Sequence, residues 1–260
     1  MVGARAGAPP LGAVGDPTLE LLALLSEEEE RGGAPVDAVV VRVGGREDAT
    51  WAAAALRWIA DHGRRAVLRT PAVLPRALLR AVADTRALVQ LEVGGRRDAL
   101  QRALLGPGAS PMAGLLLQAQ HLEALEIPTA AVLGPLVGGL ADAAELRALA
   151  SHVAAANIHD VHTTVGRMSA RRFAALGEVL SAAALRAVGR AYGFDPAQGP
   201  GEVPRRLPSG AFVALHMRAT TIAEGYGLRV DACGCPLSCA TAPAHAPVPL
   251  SGPGLFEGVG

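Results

Sequence analysis

The chain has 260 residues, half of them apolar, with 24 basic side chains against 24 acidic ones. That is enough to build a full domain around its own core, and it leaves no basic excess to hold a nucleic-acid backbone over a broad surface. Every basic residue is arginine, which excludes a GxxxxGK[ST] phosphate loop, Schiff-base and pyridoxal-phosphate chemistry and the lysine-dependent kinases. Ala, Arg, Gly and Pro dominate together, so GC-rich codons explain the missing lysine more simply than selection for arginine chemistry does.

In chain order, Met1–Asp16 is Gly, Ala and Pro with a single Arg and reads as a disordered leader. An acidic helix over Pro17–Arg31 follows, with Asp16 as N-cap, Gly32–Gly33 as its stop and Glu27–Glu30 on a solvated face. No secretory or membrane-spanning stretch is present, which points to a cytoplasmic protein without a membrane partner. Val36–Val43 is β-branched with little polar alternation, as expected of a strand buried on both faces, and Ala49–His62 then has helical spacing. Further strands fall at Ala66–Arg69, Ala87–Val93, Thr129–Leu133, Ile158–Thr164 and Gly227–Asp231. Helices fall near 74–83, 98–105, 110–125, 141–156, 169–192 and 211–225. Strands alternating with helices of ten or more residues call for right-handed crossovers and a parallel sheet. The expected fold is α/β: a parallel-stranded partial (β/α)6-type TIM-like barrel with helices outside, a doubly wound open sheet being the competitor. The organisation expected is a leader and acidic helix over 1–35, the barrel core over 36–193, a link, helix and last strand with cysteines over 194–240, and a disordered tail over 241–260.

In parallel α/β folds, chemistry sits where strands run into helices. Those ends hold Gly44, Gly45 and Asp48, then Arg69 and Thr70, Glu92 with Gly94 and Gly95, Gly134 and Pro135, and His162 to Thr164, with Asp231 at the last. The paired glycines suit close backbone approach to a small ligand or plain turns. Arg69 could hold a carboxylate or phosphate bidentately. His159 and His162 are three apart on a strand and point to opposite faces, so only His162, nearer the strand end, is a pocket candidate.

The segment Leu105–Pro111, LGPGASP, then a helix, then Leu125–Asp142, LEIPTAAVLGPLVGGLAD, resembles the radical S-adenosylmethionine proteins of the spore photoproduct lyase and DNA-repair-photolyase-like type. In that family a Glu-Pro-Gly-Ala-x-Ser-Pro turn precedes a helix and a strand ending in Pro-Gly-Leu-Asn-Asp follows. Val67–Thr70 resembles the family's Leu-Thr-Lys-Ser strand end and Val89–Val93 its next strand, so the likeness spans residues 36 to 180. It implies a barrel, S-adenosylmethionine bound inside it, and a [4Fe–4S] cluster. The contacts it implies fall on Arg69, Thr70, Glu92, Ser110, Pro135 and His162. The family's CxxxCxxC, whose three thiolates hold the cluster, is absent; the family's turn Glu is Gly106, its Lys is Arg69, and its Asn-Asp end is Ala141–Asp142.

The three cysteines lie together as Cys233, Cys235 and Cys239. Such a cluster does not form an even disulfide framework and reads as a [4Fe–4S] site, as a Zn²⁺ site with His245 as fourth ligand, or as a redox-active or vestigial tail. Two functions follow from the resemblance. One is a non-catalytic binding or scaffold descendant of the barrel, a pseudoenzyme with a Cys-bound metal. The other is an active radical-type enzyme acting on nucleic acid or a small metabolite, its cluster held by CxCxxxC. With four Phe, two Trp and two Tyr, there is no aromatic platform for stacking single-stranded bases.

Overall fold

Strand-forming runs recur at intervals of 23 to 69 residues, and most are too apolar to face water on either side. The computed structural model describes residues 2–5, 38–45 and 49–230. In it these runs form one seven-stranded sheet, β1 (Val2–Arg5), β2 (Ala38–Arg42), β3 (Arg65–Thr70), β4 (Leu88–Val93), β5 (Thr129–Leu136), β6 (Asp160–Val165) and β7 (Arg229–Val230). Every neighbouring pair is parallel and the spatial order is the chain order, β1 to β7. A doubly wound sheet reverses its strand order at a switch point; this one never does. Successive crossovers of one hand therefore return on the same face, which is the winding of a barrel. Among the described residues β1 and β7 are the two edges, so the barrel is partial.

The helices are α1 (Ala49–Asp61), α2 (Arg76–Thr85), α3 (Asp98–Leu105), α4 (Met112–Ala124), α5 (Ala143–Ala155), α6 (Ala170–Gly177), α7 (Ala182–Tyr192) and α8 (Ser209–Glu224). Local chemistry sets several of their ends. Asp142 caps α5 by accepting from the Glu145 N–H at 2.8 Å, and Gly193, at φ 70°, closes α7 in the left-handed region. The helical stretch expected over 169–192 is two helices, because Ser181 accepts from the Ala184 N–H and starts α7 anew. Val2–Arg5 is a strand in the segment expected to be leader; its Gly- and Ala-rich sequence carries no strand signal, and the ladder to β2 supplies what propensity does not. The acidic helix expected over Pro17–Arg31, Asp48, Asp231, the three cysteines and His245 lie outside the described residues.

Alternation along the strands separates two faces. Val39, Val41, Leu68, Val89, Leu91, Ala131, Leu133 and Val161 pack outward against Leu56 and Ile59 of α1, Leu78 of α2, Leu115 and Leu122 of α4 and Leu149 and Val153 of α5, forming the main core. The intervening positions Val40, Val67, Leu88 and Ala130 make a separate apolar cluster on the inner face. A second core, with Leu136, Met168, Leu176, Val188, Tyr192 and Leu215, lies beneath α6, α7 and α8. No helix among the described residues is long and apolar enough to cross a membrane.

Candidate functional site

Above the apolar inner cluster the lumen-facing positions turn polar. Register places Arg42 beside Arg69, Arg69 beside Gln90, and Glu92 beside Val132, which in turn faces His162. Curvature carries Arg42 past β3 to Glu92, two strands away, where Nη2 reaches Oε1 at 3.0 Å and Oε2 at 3.1 Å and Nε reaches Oε2 at 3.3 Å. Glu92 is buried, and the fork occupies both of its oxygens. Arg69 Nε donates to Gln90 Oε1 at 2.7 Å.

His162 is 1% exposed, and neither ring nitrogen has a hydrogen-bond partner. Burial, and secondarily the Arg69 guanidinium across the lumen, lower its pKa to about 4. The ring is therefore neutral at physiological pH, with one donor and one acceptor to offer. Leaving such a group unsatisfied costs about 1–3 kcal/mol, a cost that a purely structural position avoids by holding an aliphatic residue.

At the barrel mouth, Pro135 follows Gly134 through a cis peptide bond beside an irregularity in the β5–β6 ladder. Gly134, at φ 145°, leaves no room for a side chain, since a Cβ would lie 2.3 Å from Thr164 Oγ1. Arg172 of α6 donates from Nη1 to the Arg167 carbonyl, and Tyr192 of α7 donates its hydroxyl to the Gly166 carbonyl at 2.7 Å. Burial pushes the Tyr192 phenol up to about 12 and lowers the Arg172 pKa from its usual value.

Other candidates are absorbed locally. The Thr70 hydroxyl accepts from the Ala72 N–H at 3.0 Å and also contacts the Ala72 carbonyl, on the outward parity of β3. Ser110 Oγ accepts from the Val73 N–H at 2.9 Å and its own N–H donates to Pro71, fastening the loop after β3 to the start of α4. The Gly94 and Gly95 N–H groups both donate to Gln101 Oε1, at 2.8 and 3.1 Å, while Gln101 Nε2 donates to the Glu92 carbonyl. That glycine pair is filled by a side chain of its own chain. Gly44 packs against Gly108, where a Cβ would meet the Gly44 oxygen at 2.5 Å. His159 is exposed, and Thr163 faces α8, where its hydroxyl meets His216 Nδ1 at 2.8 Å. The structure thus brings Arg69, Glu92 and His162 to the lumen and leaves Pro135 at its rim. It adds Arg42, Gln90 and Arg172, which the sequence did not single out.

Strand order and the polar inner face together define a partial parallel βα barrel with a polar lumen. Among solved structures, the chain is similar to Streptococcus suis SuiB, with a TM-score of 0.54 at 9% identity over 86% of this chain and 45% of that one. It is equally similar to spore photoproduct lyase complexed with dinucleoside spore photoproduct, with a TM-score of 0.54 at 13% identity over 82% and 66%. SuiB has also been solved bound to S-adenosylmethionine, and that structure aligns with a TM-score of 0.52 at 10% identity over 84% of this chain and 42% of that one. The chain spans about half the length of SuiB and 66% of the lyase. No family model and no curated protein matches the sequence.

The family resemblance in the sequence implies an iron–sulfur cluster held by three thiolates. No cysteine occurs from residue 1 to 232, so no strand from β1 to β7 and none of the loops between them supplies a thiolate. Among the described residues no three His, Cys, Asp or Glu side chains are grouped to hold a metal ion. The described barrel does not fit the cluster.

Proposed function

We propose that this chain is a non-catalytic, ligand-binding descendant of the radical S-adenosylmethionine-type barrel. One contrast carries the reading: the thiolates are gone from every strand end from β1 to β6, yet the lumen keeps the Arg42–Glu92 fork, the Arg69–Gln90 bond and a buried, unpartnered His162. Polar groups in an interior cost stability unless something satisfies them. A barrel kept only as scaffold would continue upward the aliphatic filling of Val40, Val67, Leu88 and Ala130. SuiB in one structure holds S-adenosylmethionine and the lyase holds a dinucleoside photoproduct, so the ligand class that this lumen suits best is a small nucleoside-bearing molecule, bound without cleavage.

Anaerobic purification with iron and sulfide analysis, followed by calorimetric titration with S-adenosylmethionine, tests this. Binding without iron, and without cleavage under a strong reductant, is the expected result. Stoichiometric iron and sulfide with reductive cleavage would establish instead the second reading, an active enzyme. That reading has one observation in its favour. β7 runs parallel to β6 and ends at Val230, so the chain leaves it at the same end as the loops after β2 to β6, three residues before Cys233. Cys233, Cys235 and Cys239 would then hold an iron–sulfur cluster, or Zn²⁺ with His245, and Cys233→Ala would abolish the metal.

A further inference from the structure

Four residues beyond His162 on the same strand path, Gly166 presents no side chain to the barrel mouth. A Cβ there would lie 2.8 Å from Pro135 Cβ and 3.5 Å from Arg172 Nη1, so the Arg172 guanidinium reaches over this bare position. Its hydrogen bond goes to a backbone carbonyl, that of Arg167. Glu92 and Arg42 are its charged neighbours, together with the Tyr192 hydroxyl. Glu92 already gives both oxygens to Arg42, and that fork is electrically neutral. Arg172 is therefore a half-buried cation with donors to spare beside a neutral pair and a phenol that stays protonated. A guanidinium keeps its charge under any physiological condition and matches carboxylate and phosphate in shape.

Resting on the reading of the lumen as a ligand site, we infer that Arg172 is the anchor of an anion-binding subsite at the barrel mouth. It takes the phosphate or carboxylate end of an elongated small molecule whose other, hydrogen-bonding end reaches His162. By the rise of a strand, Gly166, over which the Arg172 guanidinium lies, stands roughly 13 Å along the chain from His162, about the length of a nucleoside monophosphate. His162 supplies the observation independent of Arg172, since its two ring nitrogens are buried within the barrel and unpartnered.

The test uses the full chain, with the Arg172 Nε–H and the His162 ring nitrogens followed by NMR during titration with inorganic phosphate, acetate, adenosine and adenosine 5′-monophosphate. Inorganic phosphate or acetate should move Arg172 saturably, and whichever does so identifies the anion class. The monophosphate should move both residues and bind roughly tenfold more tightly than adenosine, the worth of one charge-assisted contact. Arg172→Gln should remove that advantage and leave adenosine binding unchanged. The inference is overturned if neither anion moves Arg172, if the monophosphate moves Arg172 but not His162, or if its advantage survives in Arg172→Gln. The wild-type titrations decide the matter even if the variant does not fold. Failure of S-adenosylmethionine to bind in calorimetry, with the phosphate response of Arg172 intact, would remove that ligand from the proposed function and leave the anion subsite standing.

Discussion

The outer and inner faces of the same strands are built to different rules. Outward, Leu68, Leu91 and Val161 meet helices in a fully apolar layer; inward, their sequence neighbours Arg69, Glu92 and His162 line a polar lumen. Towards their C-terminal ends these strands therefore alternate between apolar residues packed under helices and polar residues turned inward, above the apolar inner cluster of Val40, Val67, Leu88 and Ala130. The lesson is that function and fold are separable here by parity, one residue apart.

The largest expected effect comes from breaking the outer face. Leu68 is 0% exposed in the main core, and Leu68→Ala should destabilise the protein by about 2–5 kcal/mol in urea unfolding, leaving ligand binding by the surviving folded fraction unchanged. An equal effect from an inner-face truncation would erase the distinction.

Second is the pH dependence contributed by His162. Its folded pKa of about 4 lies below the ordinary 6.5, so the unfolded chain binds more protons between those values and stability rises with pH. The contribution is fully present above pH 6.5 and is lost as pH falls towards 4, on the order of 3 kcal/mol in all. Unfolding midpoints of wild type and His162→Leu measured across that window should diverge by this amount. At pH 7 the ligand-free variant should be as stable as wild type or about 1 kcal/mol more so, because an unsatisfied polar group has been removed. A variant less stable than wild type at pH 7 would give the ring a structural role.

Third, Glu92→Gln should cost about 1–2 kcal/mol, since Arg42 is 43% exposed on its side chain and water repays part of the lost fork. A thermal melt of Glu92→Leu combined with Arg42→Met should return most of that loss. The smallest effect is expected at Thr163→Val, which removes one hydroxyl contact to His216 between β6 and α8 and should cost about 1 kcal/mol or less.

The strands from β2 to β7 were legible because each contains a β-branched or aliphatic run closed by a turn, and parallel winding followed from the helices between them; β1, with its Gly and Ala, was not. His162 was legible as the polar residue near the end of such a run. Arg42 was not: its importance comes from reaching Glu92 across an intervening strand, a contact that exists only once the sheet curves. Arg172 reads as one more helical arginine in a chain where all 24 basic residues are Arg, and only Gly166 beneath it marks it out. The reverse error arises from local hydrogen bonding. Thr70, Ser110 and the Gly94–Gly95 pair carry the residue types of a pocket rim, but Ala72, Val73 and Gln101 occupy their polar atoms. Spacing in sequence does not show whether a loop has already satisfied itself.

The strand order itself bears on how the molecule is made. Since every strand pairs with the one before it in the chain, no ladder from β2 to β6 has to wait for a distant segment to arrive; only β7 joins after three intervening helices. A polypeptide emerging from the ribosome can add each of these strands and its covering helix to a growing edge, keeping the entropy of loop closure small at every step up to β6.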